Sequence, residues 1–67
     1  MNLKWTDTRE IAEALARRFP NADPLGVRLS DLGRMVRETP GFGEGAAPVS
    51  SKTLQAIQSA WLDEVSD

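Results

Sequence analysis

The sequence predicts an all-α fold: three short helices in an order compatible with helix-turn-helix or winged-helix-like packing. Three observations carry this expectation. Apolar residues recur at helical spacing in separate runs around Ile11–Phe19, Leu32–Val36 and Leu54–Val65. Each run follows residues that cap helices, namely Asp7, Ser30 or Asp31, and Ser50 or Ser51. The runs are separated by proline- and glycine-rich stretches that end helices.

The first helix has the clearest start. Asp7 and Glu10 are spaced as in a capping box, with Trp5 near the position of a hydrophobic staple and Ile11 as its partner. Ile11, Ala12, Leu15 and Phe19 fall on one apolar arc, with Glu10, Glu13 and Arg17 roughly opposite. Glu13 and Arg17 are expected to pair at the surface, for ~0.2–0.5 kcal/mol. Early acids and the terminal Arg17 and Arg18 both suit the helix dipole. Pro20 closes the helix near Phe19.

Asn21–Pro24 reads as a turn in which Asp23 caps a short helical turn begun by Pro24. Val27–Leu29 reads as a brief extended piece. The second helix then runs through Leu32, Met35 and Val36 to about Glu38. Gly33 costs it ~1 kcal/mol relative to alanine, so it depends on packing and is the weakest of the three. Thr39–Pro48 holds two prolines and three glycines and reads as a loop, with Phe42 pinning it to the core. The last helix presents Leu54, Ile57, Trp61, Leu62 and Val65 as its buried stripe, with Gln58 as the polar intruder. Ala56, Ala60, Asp63 and Asp67 face away. Trp5, Ile11, Val27, Leu29, Leu32 and Trp61 are assigned to the core.

Composition narrows the function classes. Sixty-seven residues make a single domain, residues 1–67, burying only ~60% of the surface its unfolded chain exposes. A deep enzyme cleft does not fit. The chain has no cysteine and no histidine, which excludes disulfides, thiolate nucleophiles, zinc fingers and cysteine-held clusters. It also removes the side chain best suited to proton transfer near neutral pH. The glycines of the loop are not followed directly by the lysine of a phosphate-binding loop. The protein reads as no enzyme, with no tightly bound cofactor. A net charge of −2 disfavours nucleic acid and favours a basic partner or a cation. No membrane span or leader is evident, and the expectation is a cytoplasmic monomer.

Carboxylates are the remaining chemistry. Asp7, Glu10 and Glu13 fan over one side of the first helix, and Asp63, Glu64 and Asp67 crowd the end of the third. Oxygen ligands suit Mg²⁺, Ca²⁺, Mn²⁺ and, without strong selectivity, Fe²⁺. The acids at the third helix's C-terminus, with Lys52 at its N-terminus, oppose the macrodipole, and such breaks of a local rule are functional candidates. A nucleic-acid-binding module is the unfavoured alternative, because Lys52 stands against three acids in the helix that would face phosphates.

Three motifs in order resemble the IscX family, the small acidic accessory proteins of bacterial iron–sulfur cluster assembly. They are Lys4-Trp5-Thr6-Asp7 with Arg9-Glu10-Ile11, then Asp23-Pro24 followed by Val27-Arg28-Leu29-Ser30-Asp31-Leu32, and finally Trp61-Leu62-Asp63-Glu64. The resemblance implies a compact three-helix bundle of helix-turn-helix-like topology. It implies an adaptor that binds the cysteine desulfurase in competition with frataxin, with ferredoxin or the scaffold protein as further partners. It also implies weak Fe²⁺ binding through exposed carboxylates, and hence an alternative role as an iron carrier or sensor. Carried onto this chain, the metal candidates are Asp7, Glu10, Asp31, Asp63 and Glu64, with Glu13 added from helix geometry. The partner-binding candidates are Asp7, Glu10, Asp63 and Glu64, with Asp67 added likewise. Arg28 is expected to pair internally with a carboxylate such as Asp31. Relatives carry an acid-rich stretch between the second and third helices. Here Thr39–Val49 has only Glu44, so iron binding should be weaker.

Overall fold

The structure is a computed structural model that describes residues 3–45 and 47–66. Among these residues the fold has three α-helices and one 3-10 turn: α1 (Thr8–Arg18), the turn Pro24–Gly26, α2 (Leu29–Arg37) and α3 (Ser51–Val65). No strand forms among the described residues; Leu3 and Phe42 make one isolated parallel bridge. The all-α, three-helix expectation holds. α3 is the central element. It packs most extensively on α1 and more locally on α2 and the 3-10 turn, while α1 and α2 meet least. The radius of gyration of 10.6 Å matches the ~11 Å of a folded chain this long.

The core contains Trp5, Ile11, Ala12, Leu15, Leu32, Val36, Leu54, Ile57 and Trp61. Phe19, Val27, Leu29 and Phe42 pack on its rim. The α1 arc is therefore as expected, but Val27 and Leu29 lie at the edge. The α3 stripe is narrower than its periodicity suggests. Leu62 is half-buried and Val65 exposed, because the helix runs past the last element able to cover it. Ala60, expected on the outer face, instead packs on the core.

Local capping differs from the sequence reading in two helices. The Asp7–Glu10 capping box does not form. Asp7 makes no side-chain bond into α1; its Oδ2 accepts from the Lys4 backbone N–H at 2.9 Å, closing the turn that seats Trp5. α2 begins before Ser30 and Asp31, at Leu29, with the extended Arg28 in the cap position and no side-chain cap. Burial of Leu32, Gly33 and Val36 replaces the cap as the reason for this helix. Ser50 does cap α3, its Oγ accepting from the Thr53 N–H at 3.2 Å. Replacing Ser50 by alanine should cost ~1 kcal/mol. The same change at Asp7 removes no α1 cap and should cost less by that route; urea unfolding midpoints of the two variants compare them.

Two connections depend on details outside the helices. Asp23 accepts from the Leu25 N–H at 3.1 Å and Pro24 starts the 3-10 turn, as predicted. Gln58 of α3 then fastens that turn, its Nε2 donating to Pro24 O at 2.7 Å and Val27 O at 3.3 Å. After α2, the Phe42 N–H donates to Thr39 O at 3.1 Å, with Pro40 and Gly41 between them. Gly41 has φ 87°, the left-handed geometry that the third position of a type II turn requires. This turn delivers Phe42 edge-on to Trp5 at 4.7 Å between ring centroids. Phe42 thus pins the loop, as expected.

Candidate functional site

The carboxylates fall into committed and uncommitted groups. Just before α1, Asp7 is half-buried and holds the Lys4 N–H. Glu13 lies 3.7 Å from Arg9 Nε, not against Arg17 as its spacing suggested; Arg9 approaches from one turn earlier. Glu10 is exposed and has no ion-pair partner among the described residues. On α2, Asp31 lies 3.9 Å from Arg34 Nη2 and not against Arg28. Arg28 stands exposed in the extended cap position before the helix and makes no ion pair among the described residues. Both α2 partners are largely exposed, so the pair contributes only ~0.2–0.5 kcal/mol.

Asp63 and Glu64 are the clearest free pair. Both are exposed in the last turns of α3, and neither has a hydrogen-bond or ion-pair partner among the described residues. They add their charge to the negative end of the α3 dipole, an arrangement that costs ~0.3–1 kcal/mol per exposed charge at low salt. Burial of Leu54, Ile57 and Trp61 on the same helix outweighs that cost. The outcome is a solvent-facing patch of negative charge on a helix whose other face is buried in the core. Asp67 lies outside the described residues.

Glu44 has a different role from the other acids. Its Oε1 accepts from the Trp5 backbone N–H at 2.8 Å, and its backbone carbonyl accepts from Trp5 Nε1 at 3.2 Å. Arg37 completes the arrangement, its Nε donating to Gly45 O at 3.0 Å and its guanidinium lying 5.4 Å from the Trp5 ring centroid. The one acid of the Thr39–Val49 loop is thus spent on fixing the N-terminal segment. Nothing in the sequence marks this pairing, whose residues are 39 positions apart.

Among the described residues no three Asp or Glu side chains converge as a set that could hold a metal ion. Asp7, Glu10, Glu13, Asp31, Asp63 and Glu64 therefore do not make one multidentate site. A divalent cation would meet one or two carboxylates here and keep water on its remaining positions. The surface suits charge-guided association better than ion sequestration. No helix among the described residues is long and apolar enough to cross a membrane.

Comparison with known proteins agrees with this small three-helix chain. The family model described as iron–sulphur cluster assembly matches residues 3–66. An uncharacterized protein of Pseudomonas aeruginosa is 45% identical over 64 residues, covering 96% of this chain and 97% of the relative. With the model spanning nearly the whole sequence, and the relative agreeing end to end, the chain belongs to the iron–sulphur cluster assembly family, the IscX family that its motifs resemble.

Proposed function

We propose that this protein is a non-enzymatic adaptor of iron–sulphur cluster assembly that docks on the cysteine desulfurase through its acidic surface. The observation that supports this reading most is the exposed Asp63–Glu64 pair in the last turns of α3, without ion-pair partners among the described residues. Glu10 on α1, Asp7 just before it, and Asp67 beyond the described residues extend the candidate surface. Family membership supplies the process, and the charge supplies the kind of contact: carboxylates steering onto a basic patch. Competition with frataxin for that patch, and further contact with ferredoxin or the scaffold protein, belong to the same proposal.

Reversing both charges in an Asp63→Lys, Glu64→Lys double variant should weaken desulfurase binding by roughly tenfold or more, while wild-type affinity falls as salt rises. Calorimetric titration at two ionic strengths measures both effects. Retained affinity in a folded double variant would move the contact elsewhere.

Ferrous iron is proposed as a weakly held cargo. Each of the candidates Asp7, Glu10, Glu13, Asp31, Asp63 and Glu64 would contribute a single carboxylate, with water as co-ligand. With Glu44 committed to Trp5, the loop offers no further ligand. Anaerobic Fe²⁺ titration should therefore give weaker binding than in family members with an acid-rich loop, and weaker still after Asp7→Asn and Glu10→Gln. Binding as tight as in those relatives, or indifferent to the two amides, would overturn this.

A further inference from the structure

A groove on the opposite chemical footing lies between the end of α1 and the turn after α2. It has a volume of about 250 Å³ and is lined by Ala14, Arg17, Arg18, Thr39 and Pro40. Its floor is apolar and its rim carries two guanidinium groups, on a protein whose net charge is −2. The α1 dipole explains why basic residues stand at this helix end. It does not explain how Arg18 is held.

Arg18 is exposed yet fixed from three sides. Its Nη1 donates to Met35 O at 3.3 Å and to Thr39 Oγ1 at 3.1 Å. Thr39, itself buried, donates its hydroxyl to Met35 O at 2.9 Å. The guanidinium carbon also lies 5.0 Å from the Phe19 ring centroid. These contacts use Nη1 and leave the Nε–Nη2 edge, the edge with which arginine grips a carboxylate through two parallel hydrogen bonds. Arg17 beside it has no ion-pair partner among the described residues. An immobilised fork loses little entropy when it binds, which separates it from an ordinary surface arginine.

The occupant follows from size and chemistry. The volume is below the ~300–1,000 Å³ of small-molecule sites and suits one or two side chains. An apolar floor under a cationic rim matches a carboxylate next to an aliphatic side chain. We propose that this groove is a second docking site, taking a segment of a partner protein that presents an aspartate or glutamate beside an aliphatic residue. The domain would then bridge a basic surface at the end of α3 and an acidic segment at the end of α1. The groove reading does not depend on the desulfurase contact, and its test uses no desulfurase.

The test is amide chemical-shift mapping of the intact protein with millimolar acetyl-Leu-Glu-Leu-amide, its Gln analogue, acetate and inorganic phosphate. The Glu peptide should shift the Ala14, Arg17, Arg18 and Thr39 amides in a saturable way. Affinity should fall roughly fivefold or more for the Gln peptide and in Arg17→Gln, the scale of losing a charge-assisted hydrogen bond. Arg17 makes no internal ion pair, so this variant keeps the fold. Four results would each overturn the proposal. The Gln peptide could bind equally well. Acetate or phosphate could match the Glu peptide, marking a simple anion site. Groove and α3 C-terminal amides could shift with protein concentration alone, marking a second copy as occupant. The groove amides could remain unmoved.

Discussion

Trp61→Ala should remove most or all of the stability of this domain. Trp61 is fully buried and stands on the helix that every other element packs against. Truncating a core tryptophan costs ~3–5 kcal/mol, and a chain of this length has only ~3–10 kcal/mol in total. Urea unfolding should show the midpoint collapse, with Trp5 as the remaining fluorophore. Trp61→Phe is the informative companion. Among the described residues the buried Trp61 Nε1–H has no hydrogen-bond partner, and an unsatisfied donor of this kind costs ~1–3 kcal/mol. Phenylalanine leaves a cavity but removes that donor, and it keeps an aromatic ring near Phe19, now 6.5 Å away between centroids. The two effects oppose each other, so Trp61→Phe should cost less than half of Trp61→Ala. Equal losses in the two variants would show that ring volume alone decides the site.

Glu44→Ala should cost ~1–3 kcal/mol, a large effect for a loop residue. It removes a charged acceptor from the part-buried Trp5 N–H, leaving that donor unmatched. The backbone contacts of the same corner remain: Leu3 N–H to Gly41 O at 2.6 Å and Gly43 N–H to Leu3 O at 2.9 Å. The segment should therefore loosen around Trp5 without full release. A red-shifted Trp5 emission and a lower unfolding midpoint would register it. Glu44→Gln keeps an acceptor and should recover most of the loss. The same Gln variant should leave desulfurase and Fe²⁺ affinity unchanged, since the carboxylate faces Trp5. A drop in either affinity in the stable Gln variant would return Glu44 to the functional surface.

The burial of Trp61 was legible from the apolar period of α3, whereas the pairing of Glu44 with Trp5 was not. Helix number, the close of α1 at Phe19, the Asp23–Pro24 turn, the Ser50 cap and the pinning role of Phe42 were all legible, because each follows from interactions within a few residues or from the apolar period. The family was legible too, since its motifs are short and occur in order. The capping box at Asp7 failed because its alternative partner, the Lys4 N–H, lies on the other side of the cap. The Glu13–Arg17 pair failed because Arg9 is an equally near neighbour on the helix surface. For exposed charges the energies separating such options are too small for spacing to choose.

The sequence by itself determined an all-α domain without thiol or imidazole chemistry, whose surviving functional groups are carboxylates. Tertiary structure decided which of those carboxylates remain free. Glu44 is consumed by Trp5, Asp7 by the Lys4 turn, and Glu13 and Asp31 by neighbouring arginines. Glu10, Glu38, Asp63 and Glu64 are left exposed without ion-pair partners among the described residues. Tertiary structure also turned Gln58 from an apparent flaw in an apolar stripe into the clamp on the 3-10 turn. It placed Arg18 where Thr39 and Met35 hold it. For Asp7, Glu13 and Asp31 the partners lie only three or four positions away, and the choice fell among neighbours of nearly equal energy. For Glu44, Gln58 and Arg18 a polar side chain's role is set by the donor or acceptor it meets, and those partners lie 17 to 39 positions away, a distance over which sequence periodicity carries no information.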